Sequence, residues 1–323
     1  FIYAKKISDL IGANYHEKIL SMDDFIGFLQ NLVFYQDEPI GDPVCFPIYF
    51  VSKLARDNGV TVCQVGEGSD ELFMGYPNWM LALKMYRLNS MPLTGFVKKV
   101  VLYLLAGTGN KSRYAYEWLR RAVNNEPIFW GGAEAFFEDE KKSLISDKFQ
   151  KHFKGYSSLE AIKPILNNFL EKIDYKLLER SPLQWMTYLD LNFRLPELLL
   201  MRVDKMSMAH SLEARVPYLD HKFVEYIMSI PQSIKIGNGV LKYLFKKAVK
   251  NILPSEIVNR KKQGFGVPIY EWFFKELGVF ARKKLNTFSA NTDFFNSDYI
   301  DVLFKNSSAQ KIWFILNVVL WYE

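Results

Sequence analysis

At residues 60–76 the chain reads VTVCQVGEGSDELFMGY. Residues 60–65 form a continuous apolar run with a single glutamine, a pattern that is typical of a parallel strand buried on both faces. A helical segment and the turn Asn58-Gly59 precede this run, and the next segment is helical again. Helix, turn, buried strand and helix in this order are typical of a doubly wound α/β sheet. We therefore predict an inner parallel strand at residues 60–65, with a ligand cleft at its carboxyl end.

Local patterns predict further elements on both sides of this run. Apolar residues recur at helical spacing from residue 3 and stop at Gly12, a residue suited to capping a helix C-terminus. Ser21 offers N-cap chemistry for a helix that continues to about Phe34. Pro196 is suited to the first turn of a later helix, because it needs no backbone donor there. The remaining predictions are a short strand at 15–20, a loop at 36–47, a helix at 48–58 and a buried helix at 311–322.

The loop after the predicted strand contains residues suited to binding charged ligands. Gly66 and Gly68 allow a phosphate or a base to approach the backbone closely. Glu67, Asp70 and Glu71 place three carboxylates within five residues, and these would repel one another unless a divalent cation or an amine lay among them. An acidic helix N-terminus would explain Glu71 through the helix dipole, but not Glu67 or the two glycines. Glu67 and Asp70 are therefore the stronger candidates for function.

Composition indicates a soluble globular protein. Of the 323 residues, 49% are hydrophobic and 24% are charged, a balance that excludes a disordered chain. The two cysteines, Cys45 and Cys63, have no CxxC spacing, which argues against a zinc ribbon or a disulfide framework and fits a reducing compartment. No apolar run approaches the ~20 residues of a membrane span. We expect a cytoplasmic enzyme with no membrane partner.

The charge of +6 and the pI near 9.0 leave two interpretations open. A basic chain can bind nucleic acid, or it can carry lysines on solvated helices. The lysines occur as dispersed pairs, at 98–99, 141–142, 246–247 and 283–284. This dispersion favours solvated helices, and we expect no nucleic-acid partner.

Four motifs resemble those of the asparagine synthetase family and occur in the family's order. Residues 66–76 resemble its GEGSDELFGGY segment, and residues 201–220, MRVDKMSMAHSLEARVPYLD, resemble its second signature. Residues 260–268, RKKQGFGVP, resemble the third, and Asp37-Glu38-Pro39 a fourth, weaker one. Four ordered matches make the resemblance specific for the family and less specific for the substrate.

The resemblance implies a fold and a reaction. The implied fold class is α/β, a parallel-sheet ATP-pyrophosphatase domain (adenine nucleotide alpha hydrolase-like) with a large helical C-terminal lobe. We expect an α/β nucleotide-binding part at residues 1–85, a helical insertion at 86–170 and the helical lobe at 175–323. Family members activate a carboxylate with ATP and Mg²⁺ by adenylation, and ammonia from a glutaminase domain then forms the amide. The implied substrates are aspartate and glutamine, and the family allows a homodimer.

The resemblance also implies roles for individual residues. Glu67 should face the reacting acyl centre or the incoming amine, and Lys262 should stabilise negative charge on the reacting oxygens. Arg202 falls where the family usually has a basic residue near the phosphates. Asp70 should hold Mg²⁺ and pyrophosphate. The implied nucleotide-binding residues are Val65, Gly66, Gly68, Ser69 and Asp70.

Three departures limit what the resemblance implies. Val65 stands where the family commonly has serine, and Met74 replaces a common glycine. The family's SGGxDS loop and an N-terminal glutaminase sequence are not found, and both would precede Phe1. We therefore expect a chain that is truncated at its N-terminus and inactive alone. Two alternatives stay open: an amide ligase acting on another carboxylate (a sugar acid, a β-lactam or a peptide precursor), and a scaffold without catalysis.

Overall fold

A computed structural model describes residues 2–90, 95–107, 114–172, 182–261, 264, 266 and 268–323. The described part is mostly helical, with one small parallel sheet, which agrees with the α/β class that the sequence predicts. The ATP-pyrophosphatase architecture itself stays a prediction. Among the described helices, none is long and apolar enough to cross a membrane.

The first half of the chain contains ten α-helices within the described residues and the first strand. In order, they are α1 (Ile2–Ile11), α2 (Met22–Gln36), α3 (Cys45–Asp57), β1 (Val62–Gln64), α4 (Ser69–Phe73), α5 (Pro77–Asn89), α6 (Gly95–Gly107), α7 (Tyr114–Val123), α8 (Glu138–Leu144), α9 (Asp147–Gln150) and α10 (Leu159–Lys172).

The second half contains the second strand and further helices. They are α11 (Pro182–Asn192), a π-helical segment (Leu195–Leu200), α12 (Met201–Met208), β2 (Glu213–Arg215), α13 (His221–Ser229), α14 (Gln232–Lys235), α15 (Tyr243–Val249), α16 (Ser255–Val258), α17 (Ile269–Trp272), α18 (Glu276–Thr292), α19 (Ser297–Lys305) and α20 (Ala309–Tyr322).

The sheet consists of β1 and β2, which pair in parallel with Cys63 opposite Ala214. The predicted parallel strand is therefore confirmed, but its predicted burial as an inner strand is wrong. Within the described residues β1 has one neighbour, and Val62 is 41% exposed. Val65 and Ala214 pack against the main core. Because successive side chains of a strand point to opposite faces, Val62 lies on the face that no described element covers.

Most predicted helices are confirmed, and their ends follow local chemistry. Ser21 accepts a hydrogen bond from the backbone of Asp24, whose carboxylate bonds back to the Ser21 N–H, and this capping box begins α2. Helix α1 ends before Gly12, which adopts φ +67°. The loop predicted at 36–47 is shorter than expected, because α3 begins at Cys45. Its Pro47 lies in the first turn, where the missing donor costs nothing.

The strand predicted at residues 15–20 is wrong. That segment has no regular structure and no strand partner within the described chain. Ile19 in this segment is exposed. An isolated extended segment without a ladder leaves its backbone groups to water, so an apolar pattern alone does not make it a strand.

Two hydrophobic cores hold the helices. The larger core gathers α2, α3, α12 and α17–α20, and it contains Phe25 and Trp313, whose ring centroids lie 5.5 Å apart. Helix α20 is buried along most of its length, as predicted for residues 311–322. The second core gathers α5, α7, α10 and α11 around Trp185, whose indole N–H donates to the Phe129 carbonyl at 3.0 Å.

Helix α4 lies where these cores meet. Leu72 and Phe73 pack with Ile227 of α13 in a third, small cluster. Met74, at the C-terminus of α4, belongs to the second core. Val65, just before the loop, packs against the first core. The loop of residues 66–68 is therefore held at both ends by packed side chains.

Candidate active site

A cavity of about 600 Å³ opens at the carboxyl end of β1, where the sequence predicts a cleft. Three elements build it: the loop that follows β1, helix α3, and the helical run from α11 through the π-helical segment to α12. The lining residues that the sequence predicted are Val65, Gly66, Glu67, Asp70 and Arg202, and the polar side chains of Tyr76 and Arg194 join them. The structure therefore brings five predicted residues to one cavity.

The two glycines of the loop differ in what they require. Gly68 precedes α4 with φ +88°, and a Cβ there would lie 2.3 Å from Leu219 Cδ2. Glycine is therefore needed at 68 for both backbone conformation and space. A Cβ on Gly66 would meet no atom within 4 Å. Gly66 thus leaves open space beside the backbone at the mouth of the cavity.

Arg202, which lines the cavity, joins two carboxylates. Its Nη1 donates to Asp42, and its Nη2 donates to Glu67 Oε1 at 3.1 Å. The Arg202 side chain is 12% exposed, and the side chains of Glu67 and Asp42 are 22% and 17% exposed. Burial by itself would lower the pKa of Arg202. The negative charges of Asp42 and Glu67 together have the larger effect and raise the pKa of Arg202. Glu67 is therefore held by a permanently charged guanidinium.

A π-helical segment ends two residues before Arg202 in the chain. It runs from Leu195 to Leu200 and continues directly into α12. Pro196 occupies its first turn, in line with the sequence prediction. Segments of this kind are frequent at functional sites, because they change the direction in which neighbouring side chains point. Here Arg194 before the segment and Arg202 after it both line the same cavity.

Asp70 is paired with a lysine that the sequence did not single out. Lys242 Nζ lies 2.9 Å from Asp70 Oδ1 and donates to Ser69 Oγ at 2.9 Å. Lys242 adopts φ +54° and immediately precedes α15. Gly75 makes this approach feasible, because a Cβ there would lie 1.6 Å from Asp70 Oδ1 and 2.6 Å from Lys242 Cε.

Glu71 belongs to a buried polar network behind the cavity. The Tyr76 hydroxyl donates to Glu71 Oε1 at 2.5 Å, and burial raises the pKa of Glu71. The Arg194 guanidinium lies 4.3 Å above the Tyr76 ring and donates to Asp190 Oδ2 at 3.3 Å. Burial also raises the pKa of Asp190 to about 7, although Arg194 opposes the shift. These contacts fix α4 against α11.

Sequence reasoning missed several contributing residues, among them Asp42 and Lys242. Asp42 follows closely on the weak motif Asp37-Glu38-Pro39, so extending that motif to DEPIGDP would have found it. The sequence around Lys242 has the pattern of an ordinary amphipathic helix start, which does not indicate a functional residue. Lys262 lies outside the described residues.

The carboxylates at the cavity wall determine how Mg²⁺ would bind there together with a nucleotide. Among the described residues, no group of three His, Cys, Asp or Glu side chains could hold a metal ion. Mg²⁺ in nucleotide sites is commonly held by one or two carboxylates together with phosphate oxygens. Asp70 supplies one such carboxylate at the cavity wall. The residues present therefore fit a cation that the nucleotide also binds.

Comparisons with known proteins agree with the motifs. A family model described as "Asparagine synthase" matches residues 1–323. Glutamine-hydrolyzing asparagine synthetase 1 of Bacillus subtilis is 32% identical over 327 residues, which cover 99% of this chain and 49% of that protein. Glutamine-hydrolyzing asparagine synthetase 3 of the same organism is 26% identical over 81% of this chain and 35% of its own length. Amidase chry2 of Gibberella zeae is 21% identical over 83% of this chain and 41% of its own length. The chain thus spans about half or less of these relatives.

Proposed function

Because this chain belongs to the asparagine synthase family, we propose that it is the synthetase part of an enzyme that amidates aspartate with ATP, with glutamine as nitrogen donor. One observation carries the proposal: Glu67 is held by Arg202 in a cavity at the carboxyl end of a parallel strand. Open α/β sheets bind ligands at this position. The names of the relatives supply the choice of aspartate and glutamine.

Glu67 is the candidate for handling the nitrogen nucleophile. Ammonia must lose protons as it becomes an amide nitrogen, and a carboxylate nearby can accept a hydrogen bond and then a proton. Arg202 orients this carboxylate, and Asp42 holds Arg202 from the other side. Such a fixed chain of charge-assisted hydrogen bonds lowers the cost of orienting the base in the transition state.

The loop and its lysine are the candidates for binding the nucleotide. ATP would supply the activating adenylyl group, and Mg²⁺ would offset the charge of its phosphates. Asp70 would provide the carboxylate ligand, with Val65, Gly66, Gly68 and Ser69 along the nucleotide. Lys242, whose ammonium contacts both Asp70 and Ser69, places a positive charge where phosphates would approach. The resemblance assigns a similar charge to Lys262.

The nitrogen source belongs to the same proposal. Two of the relatives are named as glutamine-hydrolyzing, and the chain covers about half or less of each. We propose that in the full-length protein a glutaminase domain supplies ammonia to the cavity. Glu67 would then meet ammonia generated within the protein, and externally added ammonium salts should replace glutamine.

A second candidate is the amidation of a larger carboxylate by the same chemistry. An adjoining cavity of about 680 Å³ shares Val44 and Arg194 with the first. Aromatic side chains, including Tyr114, Phe136 and Tyr270, line this second cavity. Aspartate would leave most of this combined space empty, whereas a sugar acid or a peptide-like acid would extend into it.

The test uses the full-length protein with ATP, Mg²⁺ and either glutamine or ammonium chloride. Pyrophosphate and amide product are measured with aspartate, glutamate and a panel of uronic and β-amino acids. We expect aspartate to give asparagine with both nitrogen sources, and Glu67→Gln to lower amide formation at least 10²-fold. The control is Glu225→Gln, at an exposed position on α13. Turnover of another acid alone supports the second candidate, and no pyrophosphate with any acid supports a scaffold.

A further inference from the structure

Helix α6 presents a large apolar surface to solvent. None of its 13 residues is buried. Phe96 is 75% exposed, Tyr103 80%, Leu104 62% and Val100 42%. At about 100° per residue, these four side chains fall within an arc of roughly 100° on one side of the helix. They form a continuous stripe, which we call the α6 stripe.

The opposite side of α6 is the side that packs. Helix α6 contacts α7 within the described chain. Lys98 Nζ donates to both the carbonyl and the side-chain oxygen of Asn89, at 2.9 and 2.7 Å, which joins the start of α6 to the end of α5. Lys98 and Leu102 are only partly exposed, one helical turn apart. The α6 stripe is therefore not the face that holds the helix to the protein.

The described charged side chains of α5 and α6 have a single sign. From residue 72 to residue 116 the sequence contains no aspartate and no glutamate. In the same range the described lysines and arginines are Lys84, Arg87, Lys98 and Lys99. Lys84, Arg87 and Lys99 are exposed, and Lys99 borders the stripe on its own helix. An exposed apolar stripe on a helix that carries cations and no carboxylate complements a surface that is apolar inside and anionic outside.

We propose that α6 lies in the interface of a lipid bilayer that contains anionic lipids. Phe96, Val100, Tyr103 and Leu104 would enter the boundary between headgroups and acyl chains, and Lys99 would stay at the level of the phosphates. With 13 residues, α6 is about 20 Å long, which is too short to cross the bilayer and long enough to lie along it.

The charge pattern favours a bilayer over a second copy of this chain. Two copies joined through the α6 stripe would bring two sets of cations together, and like charges at close range oppose association. The expectation of no membrane partner rested on the absence of a spanning segment. Binding along the surface requires no such segment, so the two statements concern different modes of contact.

Vesicle flotation with the full-length protein tests the proposal. Vesicles of phosphatidylcholine alone are compared with vesicles in which one quarter of the lipid is phosphatidylglycerol. We expect binding to the anionic vesicles, with the partition coefficient reduced at least tenfold by Phe96→Ser combined with Tyr103→Ser. Lys99→Gln should reduce it about fivefold. The control is Phe34→Ser, which removes an aromatic ring that is 77% exposed on α2 and should leave binding unchanged.

Three results would overturn the proposal. Equal binding to both vesicle types would exclude recognition of anionic lipid. Binding that survives the double substitution would place the contact elsewhere. A protein that dimerises without lipid, and loses the dimer on the double substitution, would identify a second copy as the partner of the α6 stripe. Melting temperatures of the variants should match the parent, because the replaced side chains are exposed.

Discussion

Arg202 donates to Glu67 Oε1 at 3.1 Å, although the two residues are 135 positions apart in the chain. Glu67 follows β1, and Arg202 lies on α12, which leads into β2. The two strands pair in parallel and α12 packs beside β2, so that the first turn of α12 lies next to the loop after β1. Changes to either residue test whether this contact organises the cavity.

Arg202→Met should damage both stability and activity. The change leaves Asp42 and Glu67 mostly buried without their cation, so we expect the free energy of unfolding to fall by about 2 kcal/mol. Amide formation by the full-length protein should fall at least 10²-fold. The matched control is Arg215→Met, because Arg215 pairs with Glu213 on the surface and should change the free energy by under ~0.5 kcal/mol. Normal amide formation in the Arg202 variant would remove the pair from the mechanism.

Gly75→Ala should disturb the site through space alone. A Cβ at this position would lie 1.6 Å from Asp70 Oδ1, so the Asp70–Lys242 pair must separate. We expect pyrophosphate release to fall at least tenfold. Gly27→Ala is the control, because Gly27 lies within α2 and its added Cβ would meet nothing within 4 Å. That change should raise the free energy of unfolding by ~0.5–1 kcal/mol. Equal activity in both variants would show that the close approach at Gly75 does not matter.

Asp70→Asn should affect only one of the two reactions of the full-length protein, the release of pyrophosphate and not the hydrolysis of glutamine. Without the carboxylate we expect Mg²⁺-dependent pyrophosphate release to be abolished, while glutamine hydrolysis continues because it would occur in another domain. Both products are measured in the same reaction. Asp57→Asn, at an exposed position paired with Lys53, serves as the control. Pyrophosphate release at the parent rate would exclude Asp70 as a metal ligand.

The two adjacent lysines of the third motif should differ. The resemblance assigns charge stabilisation to Lys262, so Lys262→Ala should lower amide formation by ~10²-fold or more. Lys261 is exposed, and Lys261→Ala should change the rate little. Single-turnover rates of both variants provide the comparison. The opposite ranking would show that the motif is aligned one residue out of register.

Asp190 should make stability depend on pH. Burial raises the pKa of Asp190 to about 7 in the folded chain, against ~3.9 for an unfolded aspartate. Between those two pKa values Asp190 keeps its proton only in the folded chain. The contribution of this proton to the free energy of unfolding is therefore complete below about pH 4 and is lost as pH rises to 7. The loss between pH 5 and 7 is on the order of 2 kcal/mol.

Asp190→Asn should flatten this pH dependence, because the amide does not titrate. Denaturant unfolding at pH 5 and 7 measures the slope of the free energy of unfolding against pH. A part of the slope should remain, since burial also raises the pKa of Glu71 and acts in the same direction. Asp301→Asn replaces an exposed carboxylate and should leave the slope as in the parent. An unchanged slope in the Asp190 variant would show that this carboxyl group is ionised in the folded chain throughout the range.

Features encoded by neighbouring residues were predicted well. The N-cap at Ser21 and the glycine after α1 depend on residues within four positions, so the sequence shows them directly. The loop from Gly66 to Asp70 was predicted from its position after an apolar run. The prediction of a strand at 15–20 was wrong because a strand needs a partner strand. An apolar pattern in one segment does not show whether such a partner is present.

The sequence by itself determined the family, most of the helices and five of the residues that line the cavity at the carboxyl end of β1, since motifs and helical periods are written in adjacent positions. Only the tertiary structure decided that Asp42 would hold Arg202, that Lys242 would pair with Asp70, and that α6 would leave its apolar side in water. These contacts and exposures depend on how helices distant in the chain pack together. Packing is decided by the shape and area of whole surfaces, and no short stretch of sequence records it.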